Sequence, residues 1–518
     1  MSNPNAAAEA LLPDPVTRLT PAEKALVAKL DVTKTREEVI EELRNLLQVA
    51  IEVELATIPI YLFTYYSILR DNESGEAIGP LQAFANKAGG MIMSVAVEEM
   101  LHMSLSANVK HAMGCAPQIY RRAPASYPAS LPHHNPVGPK GPHGQTADTI
   151  PLARLSFDQL WHFLQIEYPE QWDAPPQEDN WDTIGQLYSY ARCLASTKFL
   201  SDADFQRGPE ANAIQPYNYS PNNVDTVYPS GQFDPWKPAP PSPRPSWTGG
   251  YPGAAAVAQY PNSADSHAGK AELITVQSIA DAALAIDTIC DQGEGFPVTG
   301  IGPSATDDRS KREDSHYYKF LKLQAQFAEY PGTAETLPDQ PPRPAPQLPA
   351  VTQQMLEEAG LIVKFPDNPV SASYPAELRP IADFCSACFQ YMLILSETVF
   401  RVPPQEQKLF FNEGLHRSMI WVLDKYIRTM REIPLDGGYF MAPVFENVDL
   451  GDRKDSFDGL TKYGLAAVEA AQQLASKNKD LASVYNNIAY YAALATGHPG
   501  DLAPGKRPLV DVRPYWSE

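Results

Sequence analysis

Apolar residues recur at three- and four-residue spacing over residues 43–65, and this pattern predicts a helix with one buried face. The chain from Thr35 to Glu38 has the Thr-x-x-Glu form of a capping box, so we expect the helix to begin there. Glu54 lies on the apolar face of this helix. A buried carboxylate is costly unless another group compensates its charge. Glu54 is therefore the first candidate for chemistry.

A second pattern, from Pro80 to Met113, is apolar nearly all round, which is typical of a helix buried inside a bundle. It carries Glu99 and His102, which are three residues apart and project from the same face. A short loop makes the two helices antiparallel, so Glu54 and Glu99 should reach similar heights. Glu98 is rotated by about 100° and is expected to turn away from His102.

A third and a fourth helix repeat this arrangement. The third is predicted from Ala271 to Asp291, with Glu294 one turn beyond Cys290. The fourth opens with a second Glu-x-x-His motif. Ferritin-like four-helix bundles take one Glu from each of two helices and a Glu-x-x-His motif from each of the other two. The predicted metal ligands are therefore Glu54, Glu99, His102, Glu294, Glu313 and His316.

Six carboxylate and imidazole ligands suit two iron ions, with manganese as the alternative, and such a pair can activate dioxygen. Lysine or arginine side chains could compensate buried carboxylates in place of a metal ion. On the first two helices they are scarce, because Leu43–Leu69 and Met91–Val109 contain Arg44 as their one cation. Tyrosines near the ligands could donate hydrogen bonds or electrons, or could simply be core aromatics. The candidates are Tyr61, Tyr65 and Tyr317.

The distribution of fifty prolines divides the chain, because proline interrupts helices and sheets. We predict a mainly α fold: a ferritin-like four-helix bundle with a long insertion rich in Pro and Tyr and with additional C-terminal helices. The insertion could line a substrate mouth or pack on its own aromatic side chains. The predicted units are a tail (1–35), the metal-binding domain (36–330, with the insertion at 115–270), a Pro-rich linker (331–350) and a C-terminal helical region packing on the bundle (351–518).

The C-terminal region contains a rival motif. Glu413 and His416 form a third Glu-x-x-His, and Glu397 precedes the intervening turn. Gly414 inside the motif weakens a helix, and Arg417 could pair with Glu413, so the interpretation as a second metal site competes with a structural one. The helices predicted in this region are Ile381–Val399, Glu406–Arg431 and Leu460–Ser476.

Charge and cysteine content narrow the class of protein. A net charge of −21 argues against binding to nucleic acid or to an anionic membrane surface. No signal peptide or membrane-spanning run is evident, and we expect a cytoplasmic protein. Five cysteines do not make a disulfide scaffold. Cys385 and Cys388 have the spacing of a redox or metal site, but their apolar helical setting favours packed thiols.

Several stretches between residues 38 and 330 match one family in its order: Glu54–Leu62, Glu98–His102, Leu155–Phe157 with Ile166–Glu167, Ile184–Tyr188, Gln292–Gly295 and Ser315–Phe320. In these stretches the sequence resembles the ferritin-like iminophenylpyruvate dimer synthase family. That family contains the imine-coupling enzymes of violacein and indolocarbazole biosynthesis.

The resemblance implies a metal-dependent oxidoreductase of specialised-metabolite biosynthesis. Its substrate would be a small molecule derived from an amino acid, its co-substrate dioxygen or peroxide, and its reaction the oxidative coupling of an imine. It also implies metal positions at the six residues named above. The alternative is a ferritin-like protein that binds or stores metal without organic turnover. Storage requires a shell of many copies, which long irregular insertions obstruct, whereas a smaller homo-oligomer is compatible with them.

Overall fold

The computed structural model describes residues 19–70, 79–138, 141, 147–170, 173–207, 276–293, 315–330, 350–403, 406, 410–497 and 508–516. Among them, strand pairing is limited to isolated bridges. The helices are α1 Pro21–Thr33, α2 Arg36–Tyr66, α3 Pro80–Ala112, α4 Phe157–Ile166, α5 Ile184–Ala195, α6 Ile279–Gly293, α7 His316–Gln324, α8 Gln353–Glu358, α9 Arg379–Thr398, the π-helix Phe411–Leu423, α10 Asp424–Met430, α11 Ser456–Lys477 and α12 Ala482–Thr496. The prediction of a mainly α fold is confirmed.

Helices α2, α3, α6 and α7 form the bundle. The α2 helix begins as predicted, since the Thr35 hydroxyl accepts a hydrogen bond from the Glu38 amide and the Glu38 side chain accepts one from the Thr35 amide. It continues through Pro59 without interruption. Antiparallel packing of α2 on α3 supplies the first hairpin, while α6 and α7 pack on α3 and on each other.

Two short helices extend the bundle. The α4 helix packs on α7, and α5 packs on both α2 and α6. Each begins with a side-chain cap, from Ser156 for α4 and from Thr183 for α5. The sequence predicts helices at Phe157–Ile166 and Trp181–Leu200 within the insertion, and the structure forms α4 and the shorter α5 there, directly against the bundle.

Several predicted boundaries differ from the structure. Residues 21–33 of the predicted tail form helix α1, whose Glu23 and Leu30 are buried. The sequence predicts that α2 ends near residues 71–75, and the helix ends earlier, at Tyr66. A π-helix occupies part of the predicted 406–431 helix, and α12 was not predicted. These elements depend on tertiary contacts that periodicity does not report.

The C-terminal region contacts the end of α2. The Arg428 guanidinium donates to the Tyr65 hydroxyl at 2.6 Å, and Arg431 donates to the Tyr66 carbonyl at 2.9 Å. The Val363 amide donates to the Ser67 carbonyl at 2.7 Å. One continuous apolar core includes residues of both regions.

By length and composition alone, α2 could cross a membrane: it has 31 residues and a mean hydropathy of 1.6 in its most apolar window. However, 83% of that window is buried inside the protein. This burial is typical of the central helix of a helical bundle, and α2 is weak evidence for a membrane span.

Arg192 on α5 ties α1 to α6. Its guanidinium lies 2.5 Å from Glu23 and 2.6 Å from Asp287, and all three side chains are buried. We expect Arg192→Met to lower the free energy of unfolding by about 3–5 kcal/mol, because two buried carboxylates would lose their cation. Urea unfolding followed by circular dichroism measures this. The control Arg513→Met removes an exposed pair with Asp511 and should change much less; equal effects would contradict the burial argument.

Burial also decides the reactivity of the thiols. It raises the pKa of Cys385 to about 12 and that of Cys388 well above its ordinary value. Cys193 and Cys290 are buried as well, whereas Cys115 is partly exposed. We expect a thiol reagent at pH 8 to modify Cys115 alone in the folded protein and all five after denaturation. Peptide mapping by mass spectrometry checks this, with Cys115→Ser as the unreactive control; native labelling of Cys385 would contradict it.

Candidate metal centre

Glu54 of α2 and Glu99 of α3 meet in the centre of the bundle, where both side chains are buried. Three hydroxyl contacts orient them. Thr57, one turn after Glu54, donates to Glu99 Oε2 at 2.7 Å, and Tyr188 of α5 donates to Glu54 Oε1 at 2.7 Å and lies 3.1 Å from the Ser106 hydroxyl. Glu54 and Glu99 therefore lie at the same level of the bundle, as the sequence predicts.

His102 and His316 turn the same nitrogen toward Glu99. His102 Nε2 lies 3.0 Å from Gln292 Oε1, and His316 Nε2 lies 2.7 Å from Glu98 Oε2, so each Nε2–H can donate to an acceptor. The Nδ1 atoms lie 3.8 Å (His102) and 2.9 Å (His316) from Glu99 Oε1. Fixing Nε2 as the donor leaves Nδ1 available as a metal ligand.

Glu99, His102 and His316 form a buried cluster that can hold a metal ion. One donor atom from each residue lies within 4.8 Å of the other two. His316 Nδ1 has no aligned hydrogen-bond partner among the described residues, although its side chain is fully buried. Its short distance to Glu99 Oε1, 2.9 Å, without hydrogen-bond alignment suits an ion that both atoms could bind. The donors, carboxylate oxygen and imidazole nitrogen, fit iron or manganese.

A further buried carboxylate, Glu167, reaches the same cluster from the end of α4. Its Oε1 accepts a hydrogen bond from the Tyr61 hydroxyl at 2.5 Å and lies 3.5 Å from His316 Nδ1. Glu167 is not among the six ligands predicted from the sequence. The one signal for it was the family resemblance at Ile166–Glu167.

Glu98 also belongs to the site, as a partner of His316. Besides its contact with His316 Nε2, it accepts hydrogen bonds from Lys319 Nζ at 2.9 Å and 2.6 Å. Glu98 is expected from the helix rotation to turn away from His102, and α2 and α3 offer no cation to compensate it. The cation that pairs with Glu98 comes instead from α7, one turn after His316.

Burial and mutual repulsion set the protonation of the carboxylates. Burial, together with the charge of Glu99, raises the pKa of Glu54 well above its ordinary value. Burial alone would raise the pKa of Glu99 too, but its contacts with His316 and Glu54 lower it to about 2. The pKa of His102 falls to about 4 because of burial. Burial and the charge of Glu99 thus favour the protonated form of Glu54, whereas the contacts of Glu99 favour its ionised form.

The remaining predicted site residues divide into two groups. Glu294 and Glu313 lie outside the described residues. The Tyr61 hydroxyl contacts Glu167, whereas the Tyr65 hydroxyl accepts from Arg428. The buried ring of Tyr317 packs edge-on against the ring of Tyr168, with 6.2 Å between centroids.

In the rival C-terminal motif, Glu397 forms a bidentate ion pair with Arg453, at 2.7 Å and 2.8 Å. This pair compensates the charge of Glu397 without a metal ion. The side chains of Glu413 and His416 lie outside the described residues.

Comparison with known proteins identifies the family. The profile of the family described as Ferritin-like matches residues 47–232 and 251–325, which together make up just over half of the chain. The chain belongs to the Ferritin-like family. A solved ferritin-like protein from Caulobacter vibrioides is 17% identical, with a TM-score of 0.36, over 73% of this chain and 93% of that one. No curated protein matches the sequence.

Membership in the Ferritin-like family agrees with the position of the centre. The matched segments include α2 from residue 47 onward and all of α3, α6 and α7, and thus every described residue of the cluster. They also include Glu167 and Tyr188, which stand on helices added to the bundle. The comparisons support the Ferritin-like family as a whole, and the narrower dimer synthase resemblance stays a prediction.

The ion pair between Glu98 and Lys319 provides a stability test of the site. We expect Lys319→Met to lower the free energy of unfolding by about 3–5 kcal/mol, because Glu98 would keep a buried charge beside His316 without its cation. The double variant Glu98→Gln with Lys319→Met should recover part of the loss, since it removes both charges. Urea unfolding of the metal-free single and double variants measures both effects. If the loss in the double variant instead equals the sum of the losses in Lys319→Met and Glu98→Gln, the two side chains are not coupled.

Proposed function

We propose that the protein is a metal-dependent oxidoreductase with a non-haem iron centre, most simply a pair of iron ions. Its substrate is a small molecule derived from an amino acid, in the biosynthesis of a specialised metabolite. The metal ligands we propose among the described residues are Glu54, Glu99, His102 and His316. Glu294 and Glu313 are proposed as ligands from their sequence positions alone. The reaction we propose is the oxidative coupling of an imine, as in the iminophenylpyruvate dimer synthases that the sequence resembles.

The observation that carries this proposal is the convergence of two inward Nδ1 atoms on one ionised carboxylate, Glu99, in a site without bulk water. Among the described residues, the cationic groups that contact the carboxylates of Glu98, Glu99 and Glu167 are His316 and Lys319. Lys319 is engaged by Glu98, away from Glu99. Three carboxylates, those of Glu54, Glu99 and Glu167, thus face a single imidazolium among the described residues, and this excess of acidic groups favours a divalent cation.

The chain's own side chains have defined roles in such a reaction. Thr57 and Tyr188 orient the Glu99 and Glu54 carboxylates, and Glu98 and Gln292 fix the two imidazoles. Bound iron would supply the one-electron redox steps and the activation of dioxygen or peroxide. Coupling two substrate molecules removes two electrons and two protons, and peroxide that accepts them is reduced to two molecules of water.

Metal content tests the centre directly. Protein purified without chelator should contain iron or manganese, measured by plasma mass spectrometry, and Glu99→Ala with His102→Ala should lose it. A content below about half an equivalent that does not change in this double variant would contradict the proposal. Glu397→Gln is the matched control, because this carboxylate pairs with Arg453; its metal content should equal that of the parent protein.

Turnover separates the enzyme from the storage alternative. We expect the iron-loaded protein to consume dioxygen or peroxide in proportion to an added amino-acid-derived imine, followed with an oxygen electrode and by mass spectrometry of the coupled product. Tyr65→Phe, which lies at the contact with Arg428, should retain this activity. A shell-sized particle in sedimentation that takes up many irons per chain without organic product would instead favour storage.

A further inference from the structure

Glu167 lies at the C-terminal end of α4, a helix outside the four-helix bundle. Its amide donates to the Phe163 carbonyl at 3.0 Å, so the end of the helix fixes its backbone. Residues at helix ends usually turn charged side chains to solvent, but the side chain of Glu167 is only 2% exposed. The α4 helix packs on α7, and this packing directs the carboxylate to His316.

The two oxygens of Glu167 face different parts of the centre. Oε1 accepts from the Tyr61 hydroxyl at 2.5 Å and lies 3.5 Å from His316 Nδ1, the nitrogen without an aligned partner among the described residues. Oε2 faces the end of α6, where a Cβ placed on Gly293 would lie 3.7 Å from it. Glu167 thus spans the space between α2, α6 and α7.

A purely structural role leaves this carboxylate poorly compensated. One neutral hydroxyl from Tyr61 satisfies a single lone pair of a group that has about four acceptor positions. Glu98, which touches the other nitrogen of the same imidazole, receives two hydrogen bonds from Lys319. The two carboxylates therefore differ in the charge of their second partner. Besides the His316 imidazole, Glu98 contacts the ammonium group of Lys319, whereas Glu167 contacts the neutral hydroxyl of Tyr61.

We propose that Glu167 is a metal ligand supplied by α4, in addition to the ligands of the bundle, and that the Tyr61 hydroxyl positions its carboxylate. The cation is a divalent first-row metal with a preference for oxygen and imidazole, such as ferrous or manganous ion. This inference rests on the proposed metal centre. It makes the centre depend on an element that a bare four-helix bundle does not contain.

Equilibrium binding of cobalt(II), followed by its visible absorption, tests the proposal, because absorption intensity and wavelength report the number and type of ligands. We expect Glu167→Gln to weaken cobalt binding by about 10–100-fold, at least the loss that follows removal of an outer partner of a metal ligand. Its spectrum should also change. The matched control is Glu170→Gln, three residues further on, whose buried carboxylate accepts hydrogen bonds from Ser189 instead. It should keep the parent affinity and spectrum.

Tyr61→Phe separates ligation from hydrogen bonding. If Glu167 is a ligand, Glu167→Gln weakens cobalt binding more than Tyr61→Phe does and changes the spectrum more, because the first variant removes a ligand oxygen and the second removes only its hydrogen bond. If Glu167 only satisfies Tyr61, both variants lower the melting temperature alike and leave cobalt binding unchanged, which would overturn the inference. Should Glu167→Gln fail to fold by circular dichroism, Glu167→Asp keeps the charge but shortens the reach. An unchanged spectrum in Glu167→Asp would equally overturn it.

Metal binding by the parent protein distinguishes failure of the Glu167 inference from failure of the proposed function. A parent that binds neither cobalt nor iron contradicts the metal centre as a whole. A parent that binds cobalt at a site abolished by Glu99→Ala, but unaffected by Glu167→Gln, retains the centre and removes Glu167 from it.

Discussion

Burial of the Glu99 carboxylate is the constraint on which the centre of the bundle depends. Taking an ionised carboxylate out of water costs several kcal/mol unless charges and hydrogen bonds compensate it, and Glu99 is 2% exposed. Compensation comes from α2 through Thr57 and Glu54, and from α7 through His316. Three helices must therefore be in register before this one side chain is tolerated. The same register creates the cluster of donors.

The orientation of the imidazoles follows from partners outside the cluster. Gln292 of α6 holds the Nε2 atom of His102, and Glu98 of α3 holds that of His316. The two rings stack with centroids 5.3 Å apart and an interplanar angle of 22°. Rotating either ring would bury an Nε2–H group without its acceptor, which costs about 1–3 kcal/mol. The inward Nδ1 atoms are thus fixed by helix packing before any ion binds.

Regular helices account for what could be predicted from the sequence. Glu54, Glu99, His102 and His316 stand on α2, α3 and α7, so periodicity and the rise per residue could bring them together. Glu167 could not be found this way, because its position depends on how the ten-residue helix α4 packs on α7. Lys319 lies one turn after His316, so helical spacing places it near the centre, but its pairing with Glu98 depends on how α7 packs on α3.

Among the buried carboxylates around the two imidazoles, the type of donor that each receives separates candidate ligands from structural groups. Hydroxyls contact Glu54, Glu99 and Glu167, from Tyr188, Thr57 and Tyr61 respectively. A hydroxyl orients a carboxylate without cancelling its charge, so the charge remains available to a cation.

Guanidinium and ammonium groups have the opposite effect, because they neutralise the carboxylate that they orient. Glu98 has Lys319, Glu397 has Arg453, and Glu23 shares Arg192 with Asp287. Both Glu98 and Glu167 touch His316, so proximity to that ring does not distinguish them. The charge of their other partners does, and by this criterion Glu167 belongs with Glu99 in the metal centre while Glu98 supports it from outside.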